Sequence, residues 1–139
     1  MPHPFKSAAE MVEMSAATGL TVAEMKRANE ISRGGADRLD RGLARLWDVM
    51  NGCIEAGLAT DGTLPGGLRV RRRAKAIHDA LQAERGRNQS APHTINDWMS
   101  VYAMAVNEEN AAGGQVVTAP TNGAAGVVPA TIRYYLDHV

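Results

Sequence analysis

Residues 107–130 read NEENAAGGQVVTAPTNGAAGVVPA, and this stretch decides how the chain divides into elements. Upstream the pattern is helical almost throughout. Here two polar clusters, 107–110 and 118–123, flank a short β-branched run, Val116-Val117, with glycines at 113, 114, 123 and 126. Glycine permits positive φ and close backbone approach. Thr and Asn supply short hydrogen-bonding side chains, and Asn tolerates the left-handed region. A Gly/Thr/Asn-rich turn opening onto an apolar run is one way to aim backbone N–H groups at an anion. The same residues suit a glycine-rich connection between two helices with an Asn cap, and the chemistry of the stretch leaves both readings open. Residues 115–119 read as a connector or one short strand, since no partner strand is evident. Thr121 or Asn122 is placed to cap a last segment containing Val127, Val128, Ile132, Tyr135 and Leu136. Pro129 either kinks that helix or sits in its first turn.

Immediately upstream, Thr94-Ile95-Asn96-Asp97 reads as a helix start with Thr94 as cap and Asp97 at the positive end. Ile95, Trp98, Tyr102, Ala105 and Val106 form the expected buried face. Residues 107–110 then fall at the C-terminal end, where the helix dipole disfavours carboxylates. Two adjacent acids there point to a purpose beyond capping. Residues 86–93 (GRNQSAPH) read as a flexible surface loop. Before them, Ala74, Ile77, His78 and Leu81 give a helix an apolar side ending near Glu84, with His78 as a packing or surface residue. Arg69, Arg71, Arg72, Arg73 and Lys75 put five cations into seven residues. They suit a solvated helix face first, an inter-domain or inter-subunit contact next, and carboxylate or nucleic-acid binding last, because no aromatics are interleaved. Residues 58–68 carry the turn signals Asp61-Gly62 and Pro65-Gly66-Gly67.

Further back, Leu39, Leu43, Leu46, Met50 and Cys53 recur at spacings of four and three, widened by Trp47, Val49 and Ile54, with Gly57 as the expected C-terminal stop. Cys53 lies on this stripe and reads as a small buried hydrophobe. Two capping boxes, Ser7-Ala8-Ala9-Glu10 and Thr21-Val22-Ala23-Glu24, open helices that end at Gly19 and at Gly34-Gly35. The expected fold is all-α, about six helices with Gly-rich connections and at most one short extended segment near 115–119.

Composition narrows the class. Lys+Arg and Asp+Glu are both 15, a formal net charge of zero that argues against wholesale nucleic-acid or membrane-surface binding. No apolar run approaches the roughly 18 residues needed to span a bilayer, and MPHPFKSAAE lacks the apolar core of a secretory signal. One cysteine excludes an internal disulfide and cannot alone hold a metal cluster. A cytoplasmic helical protein of one domain, or part of one, is expected.

The run NEENAAGGQVVTAPTNGAAGVVPA, followed by Tyr134-Tyr135, resembles the α (catalytic) domain of the iron–sulfur-dependent bacterial L-serine dehydratases. Pro4-Phe5-Lys6-Ser7-Ala8 resembles that domain's opening, residues 62–70 (GTLPGGLRV) with Arg72-Arg73-Ala74 its LPGGLRV-RRA segment, and Asn96-Asp97-Trp98 a family tryptophan. The likeness covers nearly all of the chain. It implies an L-serine ammonia-lyase of amino-acid catabolism and gluconeogenesis, forming pyruvate and ammonia with a [4Fe–4S] cluster whose open iron acts as a Lewis acid. Three cysteines hold that cluster in the family. The chain contains none of their motifs, nor the SSSHT-type segment of the family's β domain. By resemblance, then, residues 1–139 are a partial α domain truncated before the cluster cysteines. Its partners would be L-serine, the remaining α-domain segment and the β domain, in a homo-oligomer, with no nucleic acid or membrane; no cofactor is expected on this chain alone. The motif matches place Glu108 and Asn122 as catalytic candidates and Asn107, Asn110, Gly113, Gly114, Thr118, Thr121 and Gly123 as substrate-binding ones, with no metal ligands. The alternative is a truncated non-catalytic helical fragment or assembly module lacking the cluster. A further expectation is that apolar surface around Tyr135 is left exposed, so that the chain tends to associate.

Overall fold

The structure, a computed structural model, describes residues 1–85, 93–118 and 121–139. Six helices follow one another: α1 (Ala8–Thr18), α2 (Val22–Gly34), α3 (Ala36–Ala59), α4 (Ala74–Glu84), α5 (Thr94–Ala111) and α6 (Asn122–His138). The fold is all-α, as the sequence implies. Among the described residues the only β-type pairing is a lone antiparallel bridge, Thr63 with Arg71. Residues 115–118 have no regular secondary structure. Ala119, Pro120 and residues 86–92 of the anticipated surface loop lie outside the described residues. No helix is long and apolar enough to cross a membrane among the residues described.

Two compact units are present, Met1–Arg45 and Leu46–Val139, the division falling within α3. In the first, both predicted N-caps form. The Ser7 hydroxyl accepts the Glu10 N–H at 3.2 Å, and the Glu10 carboxylate accepts from Lys6 N–H at 2.7 Å. Thr21 and Glu24 complete a reciprocal box. Gly19, at φ = +71°, closes α1. Buried Asn29 exchanges two hydrogen bonds with the His3 backbone, 2.8 and 2.7 Å, and so ties down the N-terminal arm.

The second unit is built around α5. Trp98, Val101, Tyr102, Ala105 and Val106 turn its buried face toward Ile54 and Leu58 of α3, Ala74 and Leu81 of α4 and Ala130 of α6. Each Val, Leu or Ile among them contributes about 1.5–3 kcal/mol by leaving water. Gly57 permits the closest crossing: a Cβ there would collide with the Ala105 backbone carbonyl. It is therefore not the stop of α3, as the sequence suggests, but a buried contact point two residues before Ala59, where the helix ends. Burial, not glycine punctuation, governs that position.

Other expectations also change. Ile95 is 53% exposed, because it belongs to the first turn of α5, ahead of the core. The α5 N-cap position falls to His93, with no side-chain capping bond, so Thr94 is the first helical residue. Leu43 and Leu46 are half exposed despite their stripe spacing. Pro129 lies inside α6 and is buried. The outer face of α6 leaves Val128, Ile132, Tyr135 and Leu136 exposed, as expected for the Tyr135 face.

Candidate functional site

The two acids ending α5 are accounted for by what they hold. Glu108 is 6% exposed. Its Oε1 accepts the backbone N–H of Arg73 at 2.7 Å and of Ala74 at 3.3 Å, and Oε2 accepts the Ala74 N–H at 3.3 Å. Arg73, the N-cap of α4, makes no side-chain cap of its own. A carboxylate from another helix thus satisfies the first N–H groups of α4 and meets the positive end of its dipole. Glu109 Oε1 accepts from Arg72 Nη1 at 2.5 Å, with the two side chains 14% and 7% exposed.

These contacts reshape the cationic run. Arg69, Arg71, Arg72 and Arg73 precede α4, so they are not a helix face. They lie on an extended arm returning from the Pro65-Gly66-Gly67 turn. Leu64 N–H donates to Val70 C=O at 2.7 Å and Arg72 N–H to Gly62 C=O at 2.9 Å. Arg69 takes φ = +50°, the left-handed region, unusual for a side chain other than Gly, Asn or Asp. Lys75 pairs with Asp79 at 2.5 Å. Arg69, Arg71 and Arg73 have no ion-pair partner among the described residues.

Between this arm and α5 opens a cleft of about 430 Å³, lined by Leu64, Arg71, Arg73, Met104, Asn107 and Glu108 among others. That volume is within the range of small-molecule sites. Asn107 is exposed and also borders α6, where a Cβ on Gly126 would come within 3.3 Å of its Oδ1. The structure therefore brings Asn107 and Glu108 together with two arginines that motif reasoning left out. The signal for this placement is the turn pair Asp61-Gly62 and Pro65-Gly66-Gly67, which brings residues 70–72 back alongside 62–64 ahead of α4.

The remaining candidates sort by local structure. Gly113, at φ = +86°, and Gly114 close α5: Gly114 N–H donates to Glu109 C=O at 2.8 Å and Gly113 N–H to Asn110 C=O at 3.2 Å. This is the Schellman pattern. A Cβ on Gly114 would come within 2.8 Å of Glu109 Oε2, so the turn is tight against the acid that holds Arg72. Asn110 is half-buried in the last turn of α5, and Thr118 is exposed. Thr121 is the N-cap of α6, its hydroxyl accepting the Ala124 N–H at 3.3 Å. Gly123 is exposed, with open space where a Cβ would stand. Asn122 is the first residue of α6; its side chain lies outside the described residues.

A second polar cluster gathers where the end of α6 meets α3 and α5. Arg133 donates to Asn51 at 2.6 Å, to Asp137 at 2.7 Å and to Glu55. The Tyr102 hydroxyl donates to Asp137 Oδ2 at 2.8 Å. Burial pushes the Asp137 carboxyl up, but the bonds from Arg133 and Tyr102 outweigh it and leave it below its ordinary value. Burial, followed by the Asp137 hydrogen bond, raises the Tyr102 phenol well above the usual range. His138 stacks on Tyr134 and lies 4.7 Å from the Trp98 ring. His78 meets Trp98 edge-on at 5.6 Å, so it is a packing residue. Burial lowers both imidazoles, with Arg85 adding to the effect at His138.

An iron–sulfur cluster needs several cysteine thiolates. Cys53 is the chain's one cysteine and is buried. Burial, with the Glu109 charge second, pushes its thiol up, away from thiolate. Among the described residues no three His, Cys, Asp or Glu side chains converge as metal ligands. The residues of this chain do not fit such a cluster.

Residues 13–139 match the family described as serine dehydratase alpha chain. This chain belongs to that family. It is 45% identical over 135 residues to L-serine dehydratase 2 of Escherichia coli strain K12, covering 97% of this chain and 30% of that protein. To an L-serine dehydratase of Streptomyces coelicolor it is 44% identical over 140 residues, 100% of this chain and 30% of the other. To that of Helicobacter pylori it is 35% identical over 138 residues, 99% of this chain and 30% of the other. The chain spans about 30% of the length of these relatives.

Proposed function

We propose that the chain forms part of the catalytic portion of a cytoplasmic L-serine dehydratase, which converts L-serine to pyruvate and ammonia. The observation that carries this is the family match over residues 13–139, joined to a cleft lined by Asn107 and Glu108, two of the residues that the motif reading selects. In this reading Asn107, Asn110, Thr118, Thr121 and Gly123 face the substrate, and Gly113 and Gly114 hold the turn that positions them. Asn122 and Glu108 act in the reaction. Glu108 Oε2 accepts one long bond only, so acceptor capacity remains at the cleft it lines. The thiolates for the [4Fe–4S] cluster, and further substrate contacts, come from outside these 139 residues, from the rest of the α domain and a β domain in a homo-oligomer.

The test is Asn122→Ala in the complete enzyme carrying this chain. Pyruvate formation from L-serine should be abolished while the helical spectrum is unchanged. Near-normal turnover would overturn the site assignment.

The exposed apolar face of α6 favours a second reading, in which the chain is a non-catalytic assembly module. Anaerobic reconstitution with iron and sulfide tests this second reading: a stable cluster on the 139-residue chain alone would contradict the module.

A further inference from the structure

We propose that Arg71 and Arg73 receive the carboxylate of the amino-acid substrate in the cleft between the extended arm and α5. This rests on the serine dehydratase reading and adds two arginines to the substrate-binding residues named there.

Of the five clustered cations, two are already neutralised, Arg72 by Glu109 and Lys75 by Asp79. Arg71 and Arg73 have no ion-pair partner among the described residues, and both line the cleft. They are two residues apart on an extended arm, so they project to the same side. Their backbones are fixed: Arg71 by its bridge to Thr63, Arg73 by its N–H bond of 2.7 Å to Glu108. The guanidinium groups therefore hang from an anchored frame, which reduces the ordering cost of binding. A guanidinium fork matches a carboxylate in geometry and charge.

The opposite wall supplies the complement. Asn107 and Glu108 present oxygen acceptors suited to an ammonium group, and Leu64 and Met104 supply apolar lining. A zwitterion thus finds cations on one wall and acceptors on the other. Every buried side-chain N or O among the described residues already has a hydrogen-bond partner. Arg71 and Arg73 are the cations without an ion-pair partner at the cleft among the described residues.

The experiment titrates the full ¹⁵N-labelled 139-residue chain with L-serine, L-serine methyl ester and propionate, following backbone amides by NMR. Serine and propionate should shift amides of residues 70–74 and 107–108, while the ester, which lacks the carboxylate, should not. Arg71→Gln and Arg73→Gln should each weaken serine binding about tenfold or more, with amides distant from the cleft unmoved. Shifts with propionate but not serine would support the carboxylate site and count against the serine reading. Serine binding unaltered in both variants would overturn the proposal and leave the serine reading intact. No cleft shift with either carboxylate would also overturn it.

Discussion

Gly57 and Gly52 lie on the same helix and predict opposite outcomes. A Cβ at Gly57 would run into the Ala105 carbonyl, whereas one at Gly52 meets nothing within 4 Å. Backbone cannot step aside as a side-chain tip can. Gly57→Ala is therefore expected to cost about 3 kcal/mol by overpacking. Gly52→Ala should raise stability by up to about 1 kcal/mol through helix propensity. Urea midpoints of the two variants check this, and equal shifts would refute the close crossing. Gly57 continues the apolar stripe and Gly52 does not, yet a glycine in a stripe carries no mark of which backbone it faces. Glu108 shows the reverse. Its awkward place at a helix C-terminus was visible in the sequence, but its target, the start of α4, was not, since 34 residues separate it from Ala74.

The helix ends and the arm are where local chemistry and tertiary contact meet. The Schellman closure of α5 needs Gly113 at φ = +86°, so Gly113→Ala should cost about 1 kcal/mol. A thermal melt that leaves the midpoint unmoved would contradict this. The Arg72–Glu109 pair anchors the arm to α5 with both side chains largely buried. Arg72→Met leaves an uncompensated carboxylate, and Glu109→Leu an uncompensated guanidinium. Each is expected to cost about 3 kcal/mol, and the double variant much less than their sum. Strict additivity in a double-mutant cycle would show that the two do not interact. The capping boxes at Ser7 and Thr21 were legible because every participant lies within three or four residues. The arm is not legible locally: a run of cations has no period of its own, and its course is set by pairing with residues 62–64 across the turn.

At the scale of the molecule, pH acts through the cluster at the end of α6. His78 and His138 have folded values below their ordinary 6.5. Their unfolded forms therefore bind more protons, and stability falls as pH drops below about 6.5. Asp137, held below 3.8, continues that loss at lower pH. Tyr102, raised above 10, contributes stability that is lost as pH rises beyond 10. Cys53, raised above 9, begins the same alkaline loss earlier. Thermal midpoints from pH 4 to 11 should form a plateau between about 6.5 and 9, and a midpoint rising toward pH 5 would sink this account. The sequence by itself determined the all-α class, most helix boundaries, the caps at Ser7 and Thr21, and the family, and it narrowed the α6 cap to Thr121 or Asn122, because these depend on neighbours within a turn or on long runs of specific residues. Only the tertiary structure decided that Glu108 and Glu109 serve the α4 arm, that Gly57 is a crossing point, and that Leu43 and Leu46 of the α3 stripe stay exposed. Those outcomes depend on which surfaces come within van der Waals distance, and a periodic pattern names a face without naming what covers it.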